Sequence, residues 1–244
     1  MAARYDTLGI GYANLRVPDT RIADQLHRAI GDADDIVNIG AGTGSYEPEG
    51  RHVIAVEPSS TMIAQRPPSA SPVVQATAEA LPFCDDLFQC AMGVLTLHHW
   101  RDWRRGVAEA LRVAQGKLVL LTWLNEDLPV WLYDYFPDMQ QRDLDLFPSL
   151  EAMAEELGPL KVENVPIPHD CSDGFLCAYW RRPEAYLRSD VRRSISLFAM
   201  IEGVDAGLAK LAADLDSGEW QRRYADLLAR ENMDFGYRII STRP

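Results

Sequence analysis

One short apolar run that ends on three alternating glycines constrains this chain more than any other feature. Asp35-Ile36-Val37-Asn38-Ile39 leads straight into Gly40-Ala41-Gly42-Thr43-Gly44. The apolar run reads as a buried strand. Glycines at its exit let the backbone turn sharply and come close to a ligand. A G-x-G-x-G turn alone is shared by dinucleotide folds and by tight turns that hold nothing, so its surroundings must decide.

Those surroundings alternate in type. Before the run, Asp19 is a helix N-cap, with Ile22, Leu26 and Ile30 on one face and Gly31 at the exit. After it, residues 52–57, 72–77, 88–95 and 116–123 read as further apolar strands. Helices are expected at 59–65 and at 103–113, the latter with Val107, Ala108 and Leu111 as its inner stripe. Apolar strands that alternate with helices make a parallel sheet covered on both faces.

Beyond Trp123 the rhythm changes. Residues 131–137 are aromatic-rich, 148–157 read as a helix, 161–167 as a strand, and 174–231 as mostly helical. Leu197, Ile201, Val204, Leu208, Leu211 and Leu215 recur at spacings of four and three, one amphipathic stripe. Residues 236–242 close the chain as a last strand.

Composition narrows the partners. The 244 residues are 47% hydrophobic and 25% charged, enough apolar content for a full core. A formal net charge of -12, spread along the chain, repels phosphate backbones and disfavours nucleic acid as substrate. No apolar run is long enough to span a membrane, and the start lacks an apolar secretory segment. A cytoplasmic protein with a small-molecule substrate is expected. Cys84, Cys90, Cys171 and Cys177 form no C-x-x-C pair, so no metal site is expected.

Glu57 closes the second strand, beside the glycine turn in a parallel sheet. A carboxylate there can accept both ribose hydroxyls of an adenosine, in S-adenosyl-L-methionine or in a nicotinamide cofactor. A dinucleotide fingerprint also needs a third glycine or alanine where Ser45 stands, followed here by bulky Tyr46. The first cofactor has no pyrophosphate and does not need that fit.

Further residues carry a resemblance. The glycine turn, Val56-Glu57-Pro58-Ser59, Met62 and Ala76-Thr77-Ala78-Glu79-Ala80-Leu81-Pro82-Phe83 lie in consistent order. Leu95-Thr96-Leu97-His98-His99-Trp100, Ala110-Leu111-Arg112-Val113 and residues 117–121 follow them. Together, over residues 36–123, they resemble the class I S-adenosylmethionine-dependent methyltransferases of the ubiquinone and menaquinone type.

The resemblance implies an α/β fold: a Rossmann-like seven-stranded sheet, last strand antiparallel, flanked by helices, with a helical cap inserted late. It implies a single domain over 1–244, a cofactor-covering segment at 1–31, and cap insertions at 124–160 and 168–231. By position, Gly40, Gly42 and Gly44 would line the methionine part and ribose, and Glu57 would hold the ribose hydroxyls. Pro58 would lie near the adenine, Ala78 and Glu79 at its edge, and Val94 at the methionine end. Asn38 and Thr77 depart from the acidic residues common at their positions.

Arg16 can pair with the cofactor carboxylate, and Tyr5 and Tyr12 precede it in the covering segment. Candidates for a general base are His98, His99 and His169. Two other classes stay open on the residues alone: a nicotinamide-dependent oxidoreductase, and a cofactor-binding protein of the same fold without turnover.

Overall fold

The computed structural model describes residues 15–124, 126 and 128–242. Helix α1 (Thr20–Ile30) starts where Asp19 accepts the Arg21 N–H and stops at Gly31. It buries Ile22, Leu26 and Ile30, each burial contributing about 1.5–3 kcal/mol over exposure. Strand β1 (Asp35–Ile39), β2 (His52–Val56), helix α2 (Ser60–Ala64) and the short β3 (Val73–Val74) follow. Then come β4 (Cys90–Val94), helix α3 (Trp103–Val113) and β5 (Leu118–Trp123).

The later part holds helices α4 (Asp138–Leu146) and α5 (Leu150–Leu157), then strands β6 (Leu160–Asn164) and β7 (Ile167–Pro168). Short helix α6 (Ser189–Arg193), α7 (Val204–Asp216), α8 (Glu219–Arg223) and α9 (Ala225–Leu228) build the cap. Strands β8 (Asn232–Met233) and β9 (Tyr237–Thr242) end it. The main sheet has seven strands in the order β3-β2-β1-β4-β5-β9-β6. Strand β9 lies antiparallel to both β5 and β6, as expected, while β1 to β5 pair in parallel.

Side-chain alternation divides the core. Ile36, Cys90, Met92, Val119 and Leu121 pack on α1 and the cap. Val37, Ile39, Ala91, Leu118 and Leu120 pack on α3 and α5 from the other face. That is the period of two that a strand imposes.

Three local expectations are corrected. The inner stripe of α3 is Gly106, Val107, Ala110 and Val113, whereas Ala108 is exposed and Leu111 half-buried. Residues 161–167 are not one strand, because β6 ends at Asn164 and β7 pairs separately with β8. The stripe from Leu197 to Leu215 is not one helix either. Leu197 lies in a single 3-10 turn, and Gly203, at φ 68°, sets the start of α7. A left-handed residue there ends helical continuity although the apolar spacing persists.

Candidate functional site

The chain leaves β1 toward β2 and β3, then returns to β4 on the other side of β1. Open α/β sheets present a crevice at such a reversal, beyond the carboxyl ends of the strands. A cleft of about 1110 Å³ lies there, lined by Gly40, Gly42, Glu57, Pro58, Ala78, Glu79 and Val94. With Arg16, eight of the nine cofactor candidates from the sequence line this one cleft.

Gly40 has φ +71°, and a Cβ on it would meet Thr96 Oγ1 at 1.9 Å. The glycine is therefore needed by the close approach of β4's exit as much as by any ligand. No helix forms in residues 40–51, which run through turns into β2. The loop consequently has no helix N-terminus on which a pyrophosphate would sit.

Glu57 is 6% exposed, with Oε2 accepting the Gly42 N–H at 2.8 Å and Oε1 the Ser59 N–H at 2.9 Å. Two main-chain donors thus fix the carboxylate and lock the glycine turn to the start of α2. A carboxylate has about four acceptor positions, so this bracing is compatible with accepting a diol as well.

Behind the turn lies a buried ion pair. Arg66 donates to Glu47 Oε1 at 2.7 Å and to the Gly42 and Ser71 carbonyls. Asn38 Nδ2 donates to the same Glu47 oxygen at 3.3 Å, while Asn38 Oδ1 is buried with no partner among the described residues. A second carboxylate at position 38 would face Glu47, which explains why an amide stands there. Asn38 lines the cleft and offers a bare acceptor.

Glu79 Oε1 accepts the Arg101 and Asp102 N–H groups at 2.7 and 3.3 Å, so its carboxylate braces the approach to α3. At the exit of β4, Leu95 has φ 48°, a left-handed value that costs a non-glycine residue about 1–2 kcal/mol. Strain of that kind concentrates at functional sites. Leu95, His98 and His99 line both the cleft and a smaller chamber of about 70 Å³. The His98 ring lies tilted against His99 and Phe147, with centroids 3.8 and 4.4 Å away.

Arg16 also lines both spaces. Its Nε and Nη2 donate to the two oxygens of buried Asp173 at 2.5 and 3.3 Å, and Tyr46 donates to the same carboxylate at 3.0 Å. Arg16 therefore staples the entry segment to the cap and, through Tyr46, to the glycine loop. Tyr46 takes φ 65° and is 3% exposed, so the bulk read as an obstacle to a dinucleotide is a packed part of this staple.

Two candidates stand apart. Gly44 is not in the cleft lining; a Cβ on it would meet Ala70 at 3.2 Å. His169 lines neither space and bonds Glu231 at 3.1 Å on the cap surface. Tyr5 and Tyr12, with residues 1–14 of the expected covering segment 1–31, lie outside the described residues. No cluster of metal-ligating side chains occurs among the described residues. Nor is any described helix long and apolar enough to cross a membrane.

Sequence reasoning missed Asp143. It lines the chamber at 4% exposure, and burial pushes its carboxyl up to about 7. Tyr133 donates to its Oδ2 at 2.8 Å. The signal was available: Met139 and Asp143 share the buried face of α4 at helical spacing, a carboxyl where an apolar residue is the rule.

Sheet order, glycine turn and acidic second strand define an adenosine-cofactor fold of the methyltransferase class. Residues 37–120 match the family model described as a methyltransferase domain. A protein of Anabaena variabilis, described as a candidate methyltransferase from an antibiotic biosynthesis pathway, is 34% identical. That match covers 94% of this chain and 99% of the other, at a TM-score of 0.87. The chain belongs to the class I S-adenosylmethionine-dependent methyltransferases.

More distant structures share the fold alone. The YcgJ protein of Bacillus subtilis is 18% identical with a TM-score of 0.53, covering 91% of this chain and 97% of its own. A protein named as the cyclase SpnF is 16% identical with a TM-score of 0.54, covering 92% and 80%. No curated protein matches the chain.

Proposed function

We propose that this chain transfers the methyl group of S-adenosyl-L-methionine to a small-molecule acceptor. The observation that carries the reading is the Glu57 carboxylate, fixed by the Gly42 and Ser59 amides at the carboxyl end of β2, beside a glycine turn that leads into no helix. A ribose diol fits that carboxylate, and the glycine turn offers a pyrophosphate no helix N-terminus.

In this reading Gly40 and Gly42 border the methionine and ribose, Pro58 and Ala78 flank the adenine, and Val94 abuts the methionine end. Asn38 Oδ1 accepts from the cofactor's ammonium, the donor that its buried acceptor lacks. Bound there, the cofactor supplies a methyl carbon on a sulfonium, whose sulfur keeps the bonding electron pair when the nucleophile takes the methyl.

The chain's task is to hold the acceptor in line and dry, a contribution of about 7–11 kcal/mol in favourable cases. Where the acceptor atom loses a proton as it attacks, His98 or His99 at the shared mouth is placed to take it. The net charge of -12 favours a small acceptor over nucleic acid.

Calorimetry with S-adenosylhomocysteine and NAD tests the cofactor, and turnover of S-adenosylmethionine against a metabolite panel tests catalysis. S-adenosylhomocysteine is expected to bind at least about 100-fold more tightly than NAD, a difference of about 2.7 kcal/mol. Equal binding of the two would overturn the reading; tight binding with no methylated product would leave a non-catalytic relative.

A further inference from the structure

The chamber behind the His98–His99 turn holds one carboxyl that cofactor binding does not use. Asp143 sits on the inner face of α4, among Tyr133, Tyr237 and Cys177, whose electrostatic influence it shares. None of those neighbours carries a positive charge, and Asp143 forms no ion pair with the described residues. Its carboxylate has one hydrogen-bond partner among them, the Tyr133 hydroxyl.

Buried carboxyls are normally paired, because desolvation is costly and each lone pair left unmet adds to the cost. Here the unmet capacity borders an open space. The rest of the chamber wall is largely apolar, with Trp123, Phe147, Phe175 and Leu197 around it. Leu95, His98, His99 and Arg16 line the mouth shared with the cleft, whereas Asp143 lines the chamber only. A molecule entering through the mouth therefore meets largely apolar walls with a single carboxyl among them.

We propose that the methyl acceptor, a compact apolar or aromatic molecule, lies in the mouth shared with the cleft and reaches into the chamber, and that Asp143 receives a hydroxyl or protonated amine on it away from the reacting atom. This rests on the methyl-transfer reading above. A charged acceptor in a largely apolar pocket discriminates by leaving unmatched groups unpaired, so donors are selected and anions rejected. Asp143 is then a specificity residue, with Tyr133 holding its carboxylate in place.

Four one-ring probes of similar size test it: phenethylamine, 4-ethylphenol, ethylbenzene and 3-phenylpropionate. Binding is followed by ligand-observed NMR at about pH 8.5, where a carboxyl near 7 is ionised. Each probe is run with and without S-adenosylhomocysteine, on the intact chain. Phenethylamine is expected to bind about 10- to 100-fold more tightly than ethylbenzene, with 4-ethylphenol between them and 3-phenylpropionate weakest.

Asp143→Asn still accepts from Tyr133, so the brace survives while the charge is gone. It should cut the preference for the amine to about threefold or less and restore the anion to the level of ethylbenzene. The double variant Asp143→Leu with Tyr133→Phe should bind ethylbenzene and show no donor preference, which separates recognition from loss of the fold. Equal binding of amine and hydrocarbon by the parent chain overturns the proposal. So does a preference that survives Asp143→Asn, or failure of all four probes to bind.

Calorimetry with S-adenosylhomocysteine on the same samples keeps the two readings apart. Cofactor binding without donor preference removes the role of Asp143 only. Donor preference without cofactor binding removes the methyl-transfer reading only.

Discussion

Glu57→Gln tests the site most directly, because the two residues have the same shape and differ in what they accept. Both carboxylate oxygens already receive main-chain N–H groups, from Gly42 and Ser59. A glutamine offers one oxygen, so either placement turns its NH2 toward an amide donor. The unliganded protein loses one hydrogen bond to a charged group and gains a donor–donor contact, about 1–2 kcal/mol after local relaxation. For a chain of 244 residues that is a fall of about 2–8 °C in Tm.

The cofactor loses more. One ribose hydroxyl that donated to the carboxylate has no acceptor, and the other bond is no longer charge-assisted. The expected loss is about 1.5–3 kcal/mol, or about a 10- to 150-fold weaker Kd. Calorimetry with S-adenosylhomocysteine gives the affinity, and a thermal melt without ligand gives the bracing term. A Tm drop accompanied by less than about a threefold change in Kd would refute the reasoning, leaving Glu57 as a brace for the glycine turn.

Two further outcomes follow from buried charges. The Asp143 carboxyl is raised from an ordinary 3.8 to about 7 by burial among Tyr133, Tyr237 and Cys177, so between those values the folded chain binds the extra proton. Its contribution is therefore fully present at low pH and lost as pH climbs through about 7. Asp143→Asn should flatten that slope in urea melts from about pH 4 to 8 and gain up to about 4 kcal/mol above pH 7, at about 1.36 kcal/mol per pKa unit; an unchanged slope would refute the assignment. Arg66→Met strips the partner from buried Glu47 and should cost about 3–5 kcal/mol, whereas adding Glu47→Gln should recover more than half; additive losses in denaturant melts would count against the pairing.

Periodicity and glycine placement made much of the architecture legible. Apolar runs around residues 36, 53, 91 and 119 alternate with capped helices, which leaves a parallel sheet as the way to bury them. Helix α1 follows its N-cap and stripe residue by residue because local signals and tertiary packing agree there. The cap was less legible. Leu197, Ile201 and Val204 keep helical spacing across a left-handed glycine, so the pattern records burial and hides the break.

The site divided along the same line. Glu57 was legible since a strand's end and a glycine turn fix where a carboxylate must lie. Its bracing by Gly42 and Ser59 was hidden, as was the filling of Gly40's missing side chain by Thr96. The Arg16–Asp173 pair joins segments 157 residues apart, which no local pattern encodes, whereas Asp143 carried a helical-spacing signal that its polar side chain disguised.

The Arg16 staple carries a thermodynamic consequence. Because Arg16 belongs to the walls of both spaces, cleft and chamber share one fastening at Asp173. A ligand that tightens the fastening from one side lowers the cost of closing the other. Cofactor and acceptor would then raise each other's affinity by one common factor without touching, and exchanging Arg16 for a residue that cannot reach Asp173 would uncouple them.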